Sequence, residues 1–222
     1  MRIFRSFPIF FALFFYFFAP GWAISVEELQ EKILKSEAEL KGLQFNYVQE
    51  MRSDLTPEIS MSSGTAYIVK PKSLRIEQVS PEPQTIVTSG KYLYIYTPRF
   101  GQVLRNSWKQ WVSKNIFFPG LVGFSNTLIE LKKKYVWSVI EESNIKDEQV
   151  IRVRLTERAS SGQAQTLDMW VGATDFIPRK TEFIIGTLKV VTTLSQLELN
   201  PKLDESLFNF KQPGNARLIK MP

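Results

Sequence analysis

The chain has 222 residues with 28 Lys and Arg against 22 Asp and Glu, no His and no Cys, and is 44% hydrophobic with 17 Phe, 7 Tyr and 5 Trp. This length and apolar content suit one folded domain, and the missing residue types exclude Ser-His-Asp and Cys-His nucleophiles, His- or thiolate-bound metals and disulfides. The mild excess of positive charge contains no run longer than Lys132, Lys133 and Lys134, so no nucleic-acid partner is expected, and at most a weak attraction to anionic membrane surfaces.

Residues 1–23 begin with Arg2 and Arg5, continue through an apolar run from Phe7 to Ala19 and end in Gly21, Trp22 and Ala23. A basic start, a short apolar run and small residues at the two positions a signal peptidase inspects define a signal peptide. The run is short against the roughly 20 residues that span a bilayer. Cleavage after Ala23 is expected, with retention as an anchor the competing reading. The mature domain, 24–222, then carries 26 basic and 22 acidic side chains, a net of +4. Without a Cys after the cleavage site it cannot receive an amino-terminal lipid, so a soluble periplasmic protein is expected.

Ser25 and Glu28 form a capping box for a helix over 26–41, with Val26, Leu29, Ile33, Leu34 and Leu40 at helical spacing and Gly42 as its stop. From Leu43 the apolar period changes to two, predicting a strand to Met51 and then a polar loop over 53–63 that contains Pro57. Strands follow at about 62–70, 73–79, 84–88, 91–97 and 101–106, joined by short loops. Residues 107–134 break this pattern with Trp108, Trp111, Phe117, Phe118, Leu121 and Phe124 among Pro119, Gly120 and Gly123. Such an apolar irregular stretch must be packed over something, so it reads as a lid, with a second capping box at Thr127 and Glu130 opening a short helix. Strands resume at about 135–142, 148–157, 165–172, 176–185 and 187–199, with turns at Ser161–Gly162, Thr174–Asp175 and Gly186. Phe208, Phe210, Pro213, Gly214 and 217–220 suit one closing edge strand. The fold class is therefore mainly β: about ten or eleven antiparallel strands with short helices.

The strand at 91–97 puts Tyr92, Tyr94 and Tyr96 on one sheet face and Leu93 and Ile95 on the other. Both faces are apolar, so one covers a core and the second needs an occupant. A wide sheet, a docking helix and an aromatic lid describe a cavity for a largely hydrocarbon ligand; an ordinary two-layer core is the equal alternative on residues alone. No glycine-rich phosphate loop is present, so no cofactor is expected. Glu77, Asp168, Glu182 and Glu198 sit in or beside strands, where carboxylates are usually solvated, and no enzymatic activity is expected.

The string KPKSLRIEQVSPEPQTIVTSGKYLYIYTPRFGQV, Lys70 to Val103, resembles the outer-membrane lipoprotein carrier family, the LolA-type periplasmic chaperones. The resemblance rests on the corner Lys70, Pro71, Leu74, Arg75 and Ile76, on Gly90 to Tyr96 followed by Pro98, and on Gln102 and Val103. Phe45 and Gln49 match the family's early strand loosely, and Leu207, Phe208, Phe210, Pro213, Gly214 and Ala216 match its closing motif. The resemblance implies a strongly curved, incomplete antiparallel β-barrel with a helical lid over its concave face. It implies acyl-chain binding, here assigned to Phe45, Tyr47, Tyr67, Tyr94, Tyr96, Phe117, Phe118, Leu121, Phe124, Trp137, Trp170 and Phe183. It further implies monomeric transport of lipoproteins from an inner-membrane lipoprotein-releasing ABC transporter to an outer-membrane acceptor where one is present. Some members carry Arg before the corner proline, where it latches the lid; here that residue is Lys70, which lacks the planar fork, and Arg75 is the second latch candidate. A lipid- or peptide-binding envelope sensor of the same fold, and a carrier of another lipid or glycolipid, are the alternative functions.

Overall fold

The computed structural model describes residues 24–114, 127–158 and 165–221. The expected signal peptide therefore lies outside the described residues, as do Phe117, Phe118, Leu121, Phe124 and the Ser161–Gly162 turn. Helix α1 (Val26–Glu39) opens the described chain, with Ser25 Oγ accepting from the Glu28 amide at 3.1 Å. Strands β1 (Gly42–Ser53), β2 (Thr56–Val69), β3 (Ser73–Ser80), β4 (Gln84–Thr88), β5 (Tyr92–Thr97) and β6 (Gln102–Ser107) follow. Helices α2 (Trp108–Lys114) and α3 (Thr127–Lys134) occupy the expected lid region. Strands β7 (Tyr135–Ile145), β8 (Glu148–Glu157), β9 (Gln165–Gly172), β10 (Pro178–Ile185), β11 (Leu188–Leu199) and β12 (Arg217–Lys220) complete the fold.

All twelve strands form one sheet in the order β12-β6-β5-β4-β3-β2-β1-β11-β10-β9-β8-β7. The sheet is curved and open, with β12 and β7 as its edges rather than partners. Strands distant in sequence meet at β12–β6 and, far more extensively, at β1–β11, which pair along nearly their whole lengths, Leu43 opposite Leu199 through Ser53 opposite Leu188. The described residues form twelve strands against the expected ten or eleven; the expected closing edge strand is β12, and it pairs with β6 in parallel rather than antiparallel fashion. The chain reaches that orientation by crossing the sheet from the end of β11 to the start of β12.

The polar stretch 53–63 is not a loop. The chain turns at Asp54–Leu55 and β2 begins at Thr56, paired with β1 from its first residues, whereas its pairing with β3 starts only at Ser63. Residues 56–62 therefore have a strand on one side alone, and Pro57 is tolerated because an edge does not require every N–H. Gly64 stands where β2 meets β3 at a register shift; a Cβ there would fall 2.2 Å from the Glu77 carbonyl oxygen, so only glycine permits the approach.

Two groups of buried side chains cover the same sheet face. One gathers Leu43, Phe45, Tyr47, Ala66, Ile68, Leu74, Ile76, Leu93 and Leu194 with Trp108 of α2. The other gathers Leu29 and Ile33 of α1 with Trp137, Val153, Leu155, Leu167 and Met169.

Candidate functional site

The pleat sorts the sheet into two chemically different faces. Registered partners share a face, so the helix-covered side is assembled from rows running across the strands. One row is Phe45, Ala66, Ile76, Ile86, Ile95 and Leu104. Leu43, Ile68, Leu74 and Leu93 form a parallel row, and Tyr47 lies opposite Leu194 and Gly64. On the other side of β1 the rows continue as Gln49, Thr192, Thr181, Met169 and Val153, and as Val190, Phe183, Leu167, Leu155 and Trp137. None of these positions carries a charge. Polarity enters through hydroxyls and one amide: Gln49 Nε2 donates to Thr192 Oγ1 at 3.0 Å, and Thr181 and Thr192 are buried. Burial pushes the Tyr47 phenol up to about 12, so it stays neutral. The first acid is met at the rim, where Glu157 lies opposite Tyr135; burial and then the Glu157 charge raise the Tyr135 pKa.

Three helices cover this face, and each is held differently. Leu29 and Ile33 of α1 are buried on the β7–β9 half. The Ser36 hydroxyl of α1 donates to the Asp175 carbonyl in the β9–β10 turn, which Arg179 fixes by bonding both Asp175 and Glu148. The carboxy-terminal end of α1 is tied to the β2–β3 corner, where the Lys70 ammonium donates to the Glu37 carbonyl oxygen at 2.5 Å and stands 3.8 Å from the Glu37 carboxylate. The Leu40 amide is shared between the Ser36 and Glu37 carbonyls, so the ammonium adds a second donor at the negative end of the helix. Burial raises the Glu37 pKa, and Lys70 opposes that shift. Trp108 and Trp111 of α2 pack on the β1–β5 half, and Leu131 of α3 packs on the other, its carbonyl accepting from Trp137 Nε1 at 3.5 Å. A cavity of about 430 Å³ between α1 and the β9–β10 turn has charged walls, Lys32, Lys35, Glu39 and Asp175 among them, and is separate in character from the uncharged face.

Of the sequence-predicted lining residues, the structure brings Phe45, Tyr47, Trp137 and Phe183 together on the helix-covered face. It places Tyr67, Tyr94, Tyr96 and Trp170 on the opposite one: Tyr67 is registered with Arg75, Tyr94 with Val87 and Arg105, Tyr96 with Thr85, and Trp170 with Arg152 and Lys180. The residues that replace them inside are Leu93, Ile95, Met169 and Leu194. Alternation separates the two sets, but it does not say which is inward, and the bulkier tyrosines drew the assignment.

The outer face already has an occupant. Residues 200–216 cross it as a strap: Phe210 stacks on Tyr94 with ring centroids 4.7 Å apart, Phe208 is buried, and Val87 beneath is fully enclosed. Arg75 faces this strap, its Nη1 donating to the Leu207 carbonyl at 3.1 Å and its Nε to Glu77 at 2.8 Å. Of the two latch candidates, then, only Lys70 reaches a helix over the inner face. Over β8–β10 the outer face is closed by charge pairing instead. The buried Asp168 carboxylate accepts from Arg154 and Arg152, with contacts of 2.6 to 3.1 Å. Burial alone would push Asp168 up; the hydrogen bonds from Arg154 and Arg152 outweigh it and hold the carboxyl below its usual range. Trp170 lies between Arg152 and Lys180, 4.9 and 4.5 Å from its ring.

Among the described residues no cluster of metal-ligating side chains occurs and no helix is long and apolar enough to cross a membrane. What this arrangement offers is a wide, uncharged surface beneath short helices, suited to holding hydrocarbon.

The family model described as "Outer membrane lipoprotein carrier protein LolA" matches residues 38–211. The outer-membrane lipoprotein carrier protein of Glaesserella parasuis serovar 5 is 26% identical over 209 residues, covering 90% of this chain and 88% of that protein. Among solved structures, the Mycobacterium tuberculosis lipoprotein LppX superposes with a TM-score of 0.54 at 11% identity over 81% of this chain and 99% of LppX. The Pseudomonas aeruginosa MucA/MucB complex gives a TM-score of 0.51 at 11% identity, over 87% of this chain and 63% of the matched one. The last two likenesses establish a shared fold.

Proposed function

The chain belongs to the LolA family of outer membrane lipoprotein carriers, and from that premise we propose that it binds the acyl chains of lipoproteins on the helix-covered face of its sheet. Having done so in the periplasm, it carries them from an inner-membrane ABC transporter toward the outer membrane. The observation that carries this reading is the row-by-row absence of charge on that face, from Leu43 and Phe45 to Met169 and Trp137, under helices that can be displaced without breaking a strand pair. Acyl chains need no polar recognition. Each buried CH₂ is worth about 0.8 kcal/mol, so a hydrocarbon surface supplies the affinity, and neutral groups such as Tyr47 and Thr192 avoid the cost of burying charge against lipid. Lys70 is the natural restraint on α1: a single ammonium can leave a helix carbonyl for water more readily than a multidentate guanidinium.

Native mass spectrometry of the protein purified from its own cells tests the reading. Added mass that corresponds to a lipoprotein, or acyl chains in the organic extract, is the expected result; protein that carries no lipid under any purification condition contradicts it. Depletion separates transport from sensing, since loss of a carrier leaves lipoproteins at the inner membrane, whereas loss of a sensor changes a stress response with sorting intact.

A further inference from the structure

Positive charge is distributed unevenly along the chain. Residues 83–129 and 206–222 contain eight Lys and Arg and not one Asp or Glu, and β4, β5, β6, α2 and β12, which they supply, adjoin one another at one edge of the sheet. At the end of this edge where α2 begins, side chains from four separate stretches converge. The Lys72 stem lies against Gly90, so closely that a Cβ at Gly90 would be 2.4 Å from Lys72 Cδ. Next to it, the Lys91 ammonium and the Arg105 guanidinium both approach the Tyr92 ring, at 5.3 and 4.5 Å from its centroid. The Lys91 carbonyl accepts from the Trp108 amide at 3.2 Å, which places Lys109 beside it, and the Arg105 carbonyl accepts from the Met221 amide at 2.9 Å, with Lys220 in register with Arg105. All of these cations but the half-buried Arg105 are exposed. Among the described residues none of the five has a carboxylate within ion-pair distance.

We propose that this pole, formed by Lys72, Lys91, Arg105, Lys109 and Lys220 around Tyr92, docks the protein on a bilayer surface rich in anionic phospholipid. Two like charges drawn to one aromatic ring without an acid between them call for an external anion. Four of the five are Lys, compact point charges that suit mobile headgroup phosphates better than a fixed bidentate partner does. Tyr92 and the exposed Met221, which is 47% accessible, add the amphipathic ring and apolar tip found at membrane interfaces. Docking in this orientation sets α2, which carries Lys109, against the lipid. The inference is independent of cargo: it concerns the surface that meets the membrane, and it survives if the inner face holds something other than lipoprotein.

Flotation of the protein, purified as the cell exports it, with vesicles of phosphatidylcholine alone or with about one-third phosphatidylglycerol tests the proposal. Binding to the anionic vesicles alone, lost between about 0.1 M and 0.5 M salt as the Debye length shrinks, is expected. Each cation near such a surface contributes roughly fivefold in affinity, so Lys91→Glu/Lys220→Glu should weaken binding at least about twentyfold, and Lys72→Gln/Lys109→Gln should weaken it by a similar factor. Lys132→Glu/Lys133→Glu, an equal charge change on exposed positions of α3, should leave it within about threefold. No binding by the unaltered protein, equal binding to both vesicle types, or equal losses in the control and test variants overturns the proposal, the first outcome redirecting the pole toward an acidic protein. Unchanged circular dichroism and melting of each variant tie the losses to the surface rather than to unfolding.

Discussion

Both faces of the sheet bury apolar side chains, but only the outer one also carries charge, and the two are closed by opposite means. On the outer face Tyr94 and Val87 lie under a strap of the same chain that contributes Phe208 and Phe210, and the remainder is locked by Asp168 with its two arginines. On the inner face the covers are helices joined to the sheet by side-chain packing and a few bonds, of which Lys70 to Glu37 is one. An apolar strand face is therefore no evidence of cargo by itself. What distinguishes the two is whether the cover can leave, and a strap that continues into a hydrogen-bonded strand is much harder to remove than a helix end held by an ammonium.

The comparison can be broken most severely at its centre. Phe45 is fully buried on the inner face beneath α2's tryptophans, and Phe45→Ala should cost about 3–5 kcal/mol in denaturant unfolding, with loss of acyl binding. A cost well under this range would mean that the inner face is already loose or hollow at its middle.

On the outer face the comparable point is Asp168. Asp168→Asn leaves Arg152 and Arg154 facing a neutral amide and should cost about 3 kcal/mol at neutral pH, while acyl binding per folded molecule is unchanged. Because the folded carboxyl titrates below its unfolded value, its stabilisation is present above the unfolded pKa and is lost as pH falls through the folded one. The gap between the unaltered protein and Asp168→Asn should therefore close on acidification below about pH 4. A gap that is constant with pH would show that the charge is not what binds the arginines.

A smaller effect separates strap from lid. Phe210→Ala removes the stack on Tyr94 and should lower stability by about 1–2 kcal/mol. Acyl-probe affinity should stay within about twofold, since an outer-face contact gives ligand and free protein the same loss.

Smallest in stability is Lys70→Gln, at about 1 kcal/mol, the net worth of an ordinary hydrogen bond, since the part-exposed ammonium is screened by solvent. Acyl-probe release should nonetheless accelerate, and restoring charge with Lys70→Arg should slow it below the rate of the unaltered protein. Release rates that ignore both changes would remove Lys70 from the control of α1.

Much of the frame was legible. The bounds expected for β4, β8 and β9 coincide with the observed strands, because each is a short apolar or β-branched run bracketed by turn residues that fix its ends. The first half of β2 was not, since Pro57, Ser60 and Ser62 look like a loop unless one knows that this stretch has a neighbour on only one side. The inner and outer sets at Tyr92–Thr97 were separable but not assignable: that needed Phe210, more than a hundred residues away, to stack on Tyr94. The basic pole was invisible for the same reason, because Lys72, Lys91, Lys109 and Lys220 are isolated in sequence and meet only through Gly90, Tyr92 and the parallel pairing of β12 with β6.

Photo-crosslinking with a diazirine-bearing acyl chain, followed by peptide mapping, tests the central claim most directly. Insertion into peptides containing Phe45, Tyr47, Trp137, Phe183 or Leu194, with none at Tyr94, Tyr96 or Trp170, is the predicted result. Adducts on the tyrosine strand's outer side or on Trp170, with the inner residues unlabelled, would contradict it.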